Sequence, residues 1–225
     1  MSAPAAPPLQ LAVLISGRGS NMLAIARACA SGYIAGRIVT VIGDRVGATG
    51  LAAARELGLA TKLVDASTWR GPAGFDRAGF EAALRQQIDA AGADLVVLAG
   101  FMRVLSADFV HRYTGRILNI HPSLLPAYPG LDTHARALAA GDREHGASVH
   151  YVTPELDAGP PLLQARVPVL PGDTVDSLSA RVHAVEHKIY PEVIRWIAAG
   201  RLHWCAGRPQ LDGVVLDGPR QWAED

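Results

Sequence analysis

Short apolar segments alternate with longer segments of helical spacing along the first half of the chain. The short segments are rich in Val, Ile and Leu and have the length of strands, whereas the longer ones repeat apolar residues every three or four positions. Such alternation predicts βαβ units and a parallel sheet. The predicted strands are 9–16, 37–43, 61–64 and 95–99, and the predicted helices are 21–30, 46–57 and 76–91.

The second half of the chain has a different pattern, without regular alternation. Residues 116–120 predict a strand, and the Pro-rich stretch HPSLLPAYPG follows it. Residues 148–152 and 162–169 predict two strands joined by a polar loop, for which antiparallel pairing is possible. The longest helical pattern is 174–199, in which Pro191 either kinks the helix or begins a second one. The expected fold class is therefore α/β, with a Rossmann-like parallel N-terminal half and a mixed sheet in the C-terminal half.

No internal repeat and no linker divides the chain into two full domains. Its 225 residues are enough for one domain with an appendage. Residues 1–8 are rich in Ala and Pro and predict a disordered lead-in, and residues 9–207 predict a single domain. Residues 208–225, which contain Gly, Pro and Asp, predict an irregular tail.

Composition and charge exclude several classes of protein. A content of 49% hydrophobic and 19% charged residues excludes a disordered chain. The longest apolar run, 95–102, is far shorter than the roughly 20 residues of a membrane helix. No Lys or Arg precedes the apolar run 11–15, which favours a first strand over a signal peptide. The 21 basic and 21 acidic residues leave no net field toward nucleic acid or membrane.

Cysteine usage favours a reducing compartment. Cys29 and Cys205 are far apart, with no paired spacing. A reduced cytoplasmic protein is the simplest interpretation, and one disulfide stays possible.

The segment SGRGSN at 16–21 lies between the first predicted strand and helix. Glycine lets backbone N–H groups approach a ligand, and a helix N-terminus favours an anion. The segment is neither the G-x-G-x-x-G dinucleotide pattern, since Met22 stands at the last position, nor a Gly-Lys-Ser/Thr phosphate loop. It predicts a phosphate site, and the alternative is a plain tight turn in which Ser20 or Asn21 caps the helix.

The string HAVEH at 183–187 matches the H-x-x-E-H pattern of some zinc proteases. His183 and His187 would share one helix face and could hold Zn²⁺. The simpler interpretation is the polar face of a long helix, since short matches arise by chance and no acidic third ligand follows at helical spacing. We therefore predict no metal.

Asn119 and His121 carry the strongest chemical signal. Two residues apart on a predicted strand, they point to the same side of the sheet. A neutral amide donor and an imidazole could together hold an oxyanion and manage a proton. Pro122 and Pro126 fix the backbone beyond them, at the end of a strand, where α/β folds place ligands. The alternative is a capping Asn beside a surface His.

The segment TPELDAGP at 153–160 predicts a loop with two carboxylates. Most such loops are plain turns in which Asp accepts local N–H groups. A functional Asp157 would have to reach His121 across the sheet, and the spacing alone does not show this.

In their order along the chain, these segments resemble the stand-alone, folate-dependent glycinamide ribonucleotide formyltransferases of purine biosynthesis. The resemblance covers residues from about 9 to about 204, and related enzymes that act on other amines share its most specific residues. The matching segments are LISGRGSNM at 14–22, VVLAGFMRVLS at 96–106, ILNIHPSLLPAYPG at 117–130, HGASVHYVTPELDAGP at 145–160 and RVHAVEHKIYPEVI at 181–194.

The resemblance implies a three-layer α/β formyltransferase fold and a set of site residues. It implies formyl transfer from 10-formyltetrahydrofolate, as co-substrate, to the amine of glycinamide ribonucleotide, without a metal. It also implies a cis peptide bond between Leu125 and Pro126. The implied catalytic residues are Asn119, His121 and Asp157; the implied ribonucleotide contacts are Gly19, Ser20, Asn21 and Glu186; and the implied folate contacts are Arg77, Met102, Arg103, Val104, Leu105, Asn119, Thr153 and Asp157.

Two positions depart from the family pattern, and other functions stay open. Ala127 stands where Lys is frequent, and His183 where Gln can occur. The alternatives are a formyltetrahydrofolate hydrolase or another folate-dependent formyltransferase, a non-catalytic nucleotide-binding module, and a zinc hydrolase. The expected partners are small-molecule substrates, without nucleic acid or membrane, and the expected state is a monomer or homodimer.

Overall fold

The computed structural model describes residues 7–223, which form thirteen strands, six helices and a 3₁₀ turn at Ala66–Trp69. The strands are β1 (Leu9–Ile15), β2 (Gly36–Gly43), β3 (Thr61–Leu63), β4 (Arg70–Gly71), β5 (Gly74–Phe75), β6 (Leu95–Leu98), β7 (Ile117–His121), β8 (Glu144–Tyr151), β9 (Pro161–Pro168), β10 (Leu202–Cys205), β11 (Arg208–Leu211), β12 (Val214–Val215) and β13 (Arg220–Gln221). The helices are α1 (Ser20–Ala30), α2 (Gly50–Glu56), α3 (Arg77–Ala90), α4 (Ala107–Arg112), α5 (Thr133–Ala140) and α6 (Val175–Ala198).

An eight-stranded sheet with the order β13-β9-β8-β7-β6-β1-β2-β3 forms the centre of the fold. Parallel pairing joins neighbouring strands of this sheet from β3 through β2, β1 and β6 to β7, whereas β8 is antiparallel to both β7 and β9. The predicted parallel first half and mixed second half are therefore confirmed. The chain leaves β1 toward β2 on one side and later returns to β6 on the other. Ligands of open α/β sheets bind at such a reversal, outside the carboxyl ends of the strands.

Helices cover both faces of this sheet, and alternate residues of β1 show the two faces directly. Leu11, Val13 and Ile15 join a core with apolar residues of α1, α2 and α6. Ala12 and Leu14 point the other way, into a second core with residues of α3 and α4. Because successive side chains of a strand point to opposite faces, a strand that is apolar throughout needs a layer on each side. This confirms the three-layer α/β fold.

Helix α6 runs without interruption over 24 residues, through Pro191. Thr174 and Ser177 form a capping box at its start. Proline removes one hydrogen bond inside a helix. The helix nevertheless packs against α1, β8 and β9 with Pro191 itself buried, and this burial offsets the loss. Pro191 does not begin a second helix.

The chain after residue 207 is more regular than predicted. Strands β10, β11 and β12 form a small antiparallel sheet, and the predicted boundary at 207 lies inside its first hairpin. Strand β13 pairs in parallel with β9 at Leu163 and Gln164. The prediction of an irregular tail is wrong for these strands. The strands β10, β11 and β12 pair with their neighbours along the chain, and only β13 has a partner that is remote in sequence. Residues 224–225 of that tail, and residues 1–6 of the predicted lead-in, lie outside the described part.

Two short helices, α4 and α5, were not among the predicted elements, and α2 begins at Gly50 rather than at residue 46. The peptide bond between Leu125 and Pro126 is cis, as the family resemblance implied. Within residues 7–223, we find no helix with the length and apolar character needed to cross a membrane.

Candidate active site

The main cavity of the described chain has a volume of about 590 Å³ and opens at the carboxyl ends of β6 and β7. Asn119 and His121 of β7 line it together with Asp157, which arrives on the loop between β8 and β9. The three side chains that the family resemblance assigns to catalysis therefore lie at one cavity. The cavity wall also includes Met102, Arg103, Val104, Leu105 and Thr153.

The amide of Asn119 is oriented by a neutral histidine. Asn119 lies opposite His150 in the antiparallel pairing of β7 and β8, and its Nδ2 is 3.2 Å from Nε2 of His150. His150 Nδ1 is 2.8 Å from the Tyr151 carbonyl oxygen, which accepts only an N–H, so Nδ1 carries the proton and Nε2 accepts. Burial lowers the pKa of His150 to about 4, so the ring is neutral near pH 7. Asn119 thus retains a second N–H that can face a ligand.

The imidazole of His121 is also held by a backbone carbonyl. Its Nε2 donates to the carbonyl oxygen of Tyr128 at 2.8 Å, which leaves Nδ1 directed toward Asp157. Tyr128 has a positive φ of 54°, and its hydroxyl donates to Asp142 at 2.6 Å. The Pro-rich loop after β7 therefore curls back onto the histidine that precedes it. His121 is 5% exposed, so its orientation depends on these contacts rather than on water.

Asp157 reaches His121 through a loop with left-handed backbone. Its φ is 51°, a conformation that Asp tolerates better than most residues. Oδ2 accepts the N–H of Gly130 at 2.8 Å and lies 3.4 Å from Nδ1 of His121. Oδ1 lies 3.9 Å from Nε2 of His150. The Asp157 carboxylate thus contacts both the Pro-rich loop and the catalytic candidate His121.

Residues 102–105 follow β6 without regular secondary structure. The Met102 and Val104 side chains are 66% and 55% exposed, whereas Leu105 is buried. Arg103 forms an ion pair with Asp44, and its guanidinium lies over the rings of Phe75 and Phe80. Arg103 thus fixes this segment to the neighbouring layer. Exposed apolar side chains beside open backbone suit a flat heterocycle.

Arg77 is the one predicted folate contact that the structure does not bring to this cavity. It is exposed at the first residue of α3 and is not among the lining residues. Its role stays a prediction.

The turn after β1 has the conformation expected of an anion site. Gly19 is the N-cap of α1 with φ 73°, and the cap has no side-chain hydrogen bond, so neither Ser20 nor Asn21 caps this helix. A Cβ at Gly19 would lie 3.2 Å from Cα of Gly50, so glycine also permits close packing. Backbone N–H groups at the start of an 11-residue helix favour a phosphate.

Glu186 of α6 lies beside this turn. Its Oε2 accepts Nδ2 of Asn21 at 2.8 Å, and both residues are buried. Burial raises the pKa of Glu186 to about 7, and the hydrogen bond from Asn21 opposes this shift. Oδ1 of Asn21 is buried and has no partner in the described chain. The structure therefore joins two predicted ribonucleotide contacts, 165 positions apart, into one polar pair.

In the H-x-x-E-H string, the Glu lies beside the turn after β1. Glu186 accepts a hydrogen bond from Asn21, and burial lowers the pKa of both His183 and His187. The nearby Arg18 also lowers the pKa of His183. Among residues 7–223, no group of three or more His, Cys, Asp or Glu side chains is arranged to hold a metal ion.

Substitution of Glu186 tests its raised pKa through stability. A carboxyl with a folded pKa of about 7 and an ordinary value of 4.5 is protonated in the folded state and ionised in the unfolded state between these values. Its contribution to stability is therefore complete below pH 4.5 and is lost as the pH rises through 7. Glu186→Gln keeps an acceptor for Asn21 but cannot ionise.

We expect the wild type to lose stability relative to Glu186→Gln as the pH rises from 4.5 through 7. The difference between their free energies of unfolding, wild type minus variant, should fall by at most about 3 kcal/mol. Urea denaturation of both proteins at several pH values measures the difference, in which the titrations of the histidines cancel. A difference that does not change with pH would contradict the raised pKa.

Sequence reasoning missed His150, the Tyr128 carbonyl and the Gly130 N–H. His150 lies in a predicted strand, but only the pairing of β7 with β8 places it opposite Asn119. Backbone groups carry no signature in the sequence. A polar residue in an otherwise apolar strand was the one available signal for His150.

Comparison with known proteins agrees with this geometry. Residues 9–194 match the family model described as formyl transferase. The phosphoribosylglycinamide formyltransferase of Escherichia coli K12 is 50% identical over 217 residues, which is 96% of this chain and all of that protein. The trifunctional purine biosynthetic protein adenosine-3 of Bos taurus is 40% identical over 191 residues, which is 85% of this chain and 18% of that protein.

Solved structures give the same result. The phosphoribosylglycinamide formyltransferase of Coxiella burnetii, in complex with CHES, superposes with a TM-score of 0.89 at 48% identity, covering 96% of this chain and 100% of that one. The glycinamide ribonucleotide transformylase 1 of Symbiobacterium toebii superposes with a TM-score of 0.84 at 44% identity, over 92% and 95% of the two chains.

The fold and the cavity define an α/β formyltransferase, and the chain belongs to the formyl transferase family. It is an enzyme of the class that uses 10-formyltetrahydrofolate as co-substrate. The relatives that it covers over their whole length are phosphoribosylglycinamide formyltransferases.

Proposed function

We propose that the chain transfers the formyl group of 10-formyltetrahydrofolate to the amine of glycinamide ribonucleotide, in purine biosynthesis. The observation that carries this proposal is the meeting of Asn119, His121 and Asp157 at one cavity, beside residues 102–105. This cavity has room for a heterocycle, and its wall is mainly apolar.

The reaction is an acyl transfer through a tetrahedral intermediate. The amine nitrogen attacks the formyl carbon, the C=O electron pair moves onto oxygen, and the bond from carbon to the folate nitrogen then breaks. The free N–H of Asn119 donates to the oxyanion, since its other N–H is directed to His150. The bond of His150 to the Tyr151 carbonyl fixes that amide before substrate binds, so no reorganisation is needed during the reaction.

His121 and Asp157 manage the proton. The imidazole of His121 stabilises the oxyanion, and the Asp157 carboxylate, 3.4 Å from its Nδ1, holds that ring in position. Asp157 and His121 also order a water that takes a proton from the attacking amine and returns one to the leaving folate nitrogen. The number of protons balances, and no metal takes part.

The ribonucleotide binds at the turn after β1. The N–H groups at Gly19, Ser20 and Asn21 donate to the 5′-phosphate, and Glu186 contacts the ribose hydroxyls. The pairing of Glu186 with Asn21 supports this role, because one polar pair then serves both the turn and the sugar. Met102, Arg103, Val104, Leu105 and Thr153 contact the folate, and Arg77 is retained as a contact to its tail.

The decisive experiment mixes purified protein with both substrates and follows tetrahydrofolate by absorbance and the formylated ribonucleotide by mass. Formation of both in equal amounts supports the proposal. Release of formate in the absence of the amine substrate would indicate a formyltetrahydrofolate hydrolase. Binding of the ribonucleotide without turnover would indicate a nucleotide-binding module.

Removal of the 5′-phosphate from the substrate should lower kcat/KM strongly. A helix N-terminus with free N–H groups binds a dianion, and each charge-assisted hydrogen bond contributes about 1.5–3 kcal/mol. Two such bonds correspond to a loss of at least about 100-fold for glycinamide riboside. Initial rates with the two compounds measure it. Equal kcat/KM for the ribonucleotide and the riboside would show that the phosphate does not bind at this turn.

Location and assembly are part of the same proposal. Both cysteines are free thiols, Cys29 half-buried and Cys205 exposed, which supports a reducing, cytoplasmic location. A monomer or homodimer remains the expected state, which sedimentation of the purified protein measures.

A further inference from the structure

Ser16 joins the two segments that bind the two substrates in the proposed function. Its hydroxyl oxygen accepts the backbone N–H of Met102 at 2.8 Å, and its own N–H donates to the carbonyl oxygen of Gly100 at 3.1 Å. Ser16 is the first residue of the phosphate turn and is 1% exposed. These bonds therefore run through the interior, from the turn after β1 to the segment after β6.

Other contacts prevent Ser16 from moving independently. The Arg45 guanidinium donates to its carbonyl oxygen, and the carbonyl of the next residue, Gly17, accepts the N–H of Gly50 at 3.0 Å. The turn is thus held from the segment after β2 and from the start of α2, as well as from the folate segment. A displacement of the turn must be shared with Met102.

We propose that Ser16 is a positioning residue that couples the two substrate sites, so that each bound substrate orders the segment that receives the other. This inference rests on the proposed function, because it needs one substrate at the turn and the other at residues 102–105. Ser16 itself touches neither reacting atom.

The physical basis is the lack of regular secondary structure in the folate segment. Residues 101–106 lie in no helix or strand, and Met102 is exposed, so its N–H bond to Ser16 anchors the start of the segment. A ligand that orders a shared element reduces the entropy that a second ligand loses on binding. By linkage, each substrate must then raise the affinity of the other by the same factor.

Calorimetric titration measures this factor with ligands that do not react. Tetrahydrofolate carries no formyl group, so with glycinamide ribonucleotide it forms a ternary complex without turnover. The Kd of tetrahydrofolate is measured alone and with saturating ribonucleotide. We expect a ratio of about 5 or more in the wild type, at the lower end of usual couplings, and a ratio near 1 in Ser16→Ala.

Thr40→Val is the matched control. Thr40 is a buried residue of β2 whose hydroxyl has no hydrogen-bond partner in the described chain. Its replacement also removes a buried hydroxyl from the sheet but breaks no bond between the segments. It should keep the wild-type ratio.

Equal ratios in Ser16→Ala and the wild type would overturn the inference, as would a wild-type ratio of 1 with both ligands bound. If Ser16→Ala does not fold, hydrogen exchange in the wild type decides. Ribonucleotide alone should then slow exchange of the Met102 amide, and an unchanged rate would overturn the coupling. Failure of the proposed function would give a different result, because the wild type would then not bind one of the ligands or would transfer no formyl group.

Discussion

Replacing Asp157 by Asn is expected to lower kcat by about 10²–10³, or roughly 3–4 kcal/mol of transition-state stabilisation. The carboxylate lies 3.4 Å from Nδ1 of His121 and accepts the Gly130 N–H. Asn keeps the size and can still accept that N–H, so the loop should keep its shape. The substitution removes the carboxylate charge beside the His121 imidazole and weakens the ordering of the relay water.

The KM values of Asp157→Asn distinguish a catalytic role of this residue from a structural one. KM for both substrates should change much less than kcat, because neither the turn after β1 nor residues 102–105 are touched. If Asp157 only closes a turn, kcat of Asp157→Asn would stay within a few-fold of wild type, since Asn also accepts turn N–H groups.

Glu155→Gln provides the matched control for this variant. Glu155 is an exposed carboxylate two positions away on the same loop. Its neutralisation removes the same charge without a contact to His121. We expect kcat within about 2-fold of wild type, because exposed charges interact weakly. A loss as large as that of Asp157→Asn would indicate a general effect of loop charge.

Substitution of Asn119 by Asp is expected to have an equal or larger effect, with a fall in kcat of at least about 10³. The change replaces the amide donor with an acceptor of the same shape. A carboxylate would face the lone pair on Nε2 of His150, only 3.2 Å from the present Nδ2, and would repel the oxyanion. The substituted side chain would therefore have neither the orientation nor the charge needed to stabilise the oxyanion.

Asp132→Asn tests whether cavity charge alone explains this result. Asp132 lines the same cavity, has a φ of 56° that Asn tolerates, and has no side-chain bond to its helix. Its kcat should stay within about 3-fold of wild type, since a charge at the rim is screened. Steady-state kinetics of the two variants, with Tm as a check on folding, measure the contrast. Near-normal turnover of Asn119→Asp would show that Asn119 does not stabilise the oxyanion.

Several elements could be predicted from the sequence because their cause is local. Strand β6 is apolar throughout, and its alternate residues enter the two cores on opposite faces of the sheet, so its sequence alone predicts a strand covered on both sides. Helices α4 and α5, of six and eight residues, were not predicted, because isolated short helices have little intrinsic stability. Strands β12 and β13 have two residues each, too few for a recognisable pattern, and β13 exists only through its remote partner β9.

The sequence by itself determined which chemical groups are present and which of them share a face. The two-residue spacing of Asn119 and His121, the glycines of the 16–21 turn and the fully apolar strand β6 depend only on local sequence and backbone geometry. Their resemblance to a family added Asp157 and Glu186. No local pattern shows that Asp157 turns toward His121, or that Asn21 meets Glu186 across 165 positions.

Tertiary structure alone decided how these groups are oriented. The partner of Asn119 depends on the register of β7 and β8, and the proton position on His121 depends on a carbonyl seven residues away. Burial sets the pKa of Glu186 near 7 and that of His150 near 4, and neither burial is visible in one strand or helix. These properties come from desolvation and long-range hydrogen bonds, which exist only once distant segments have packed together.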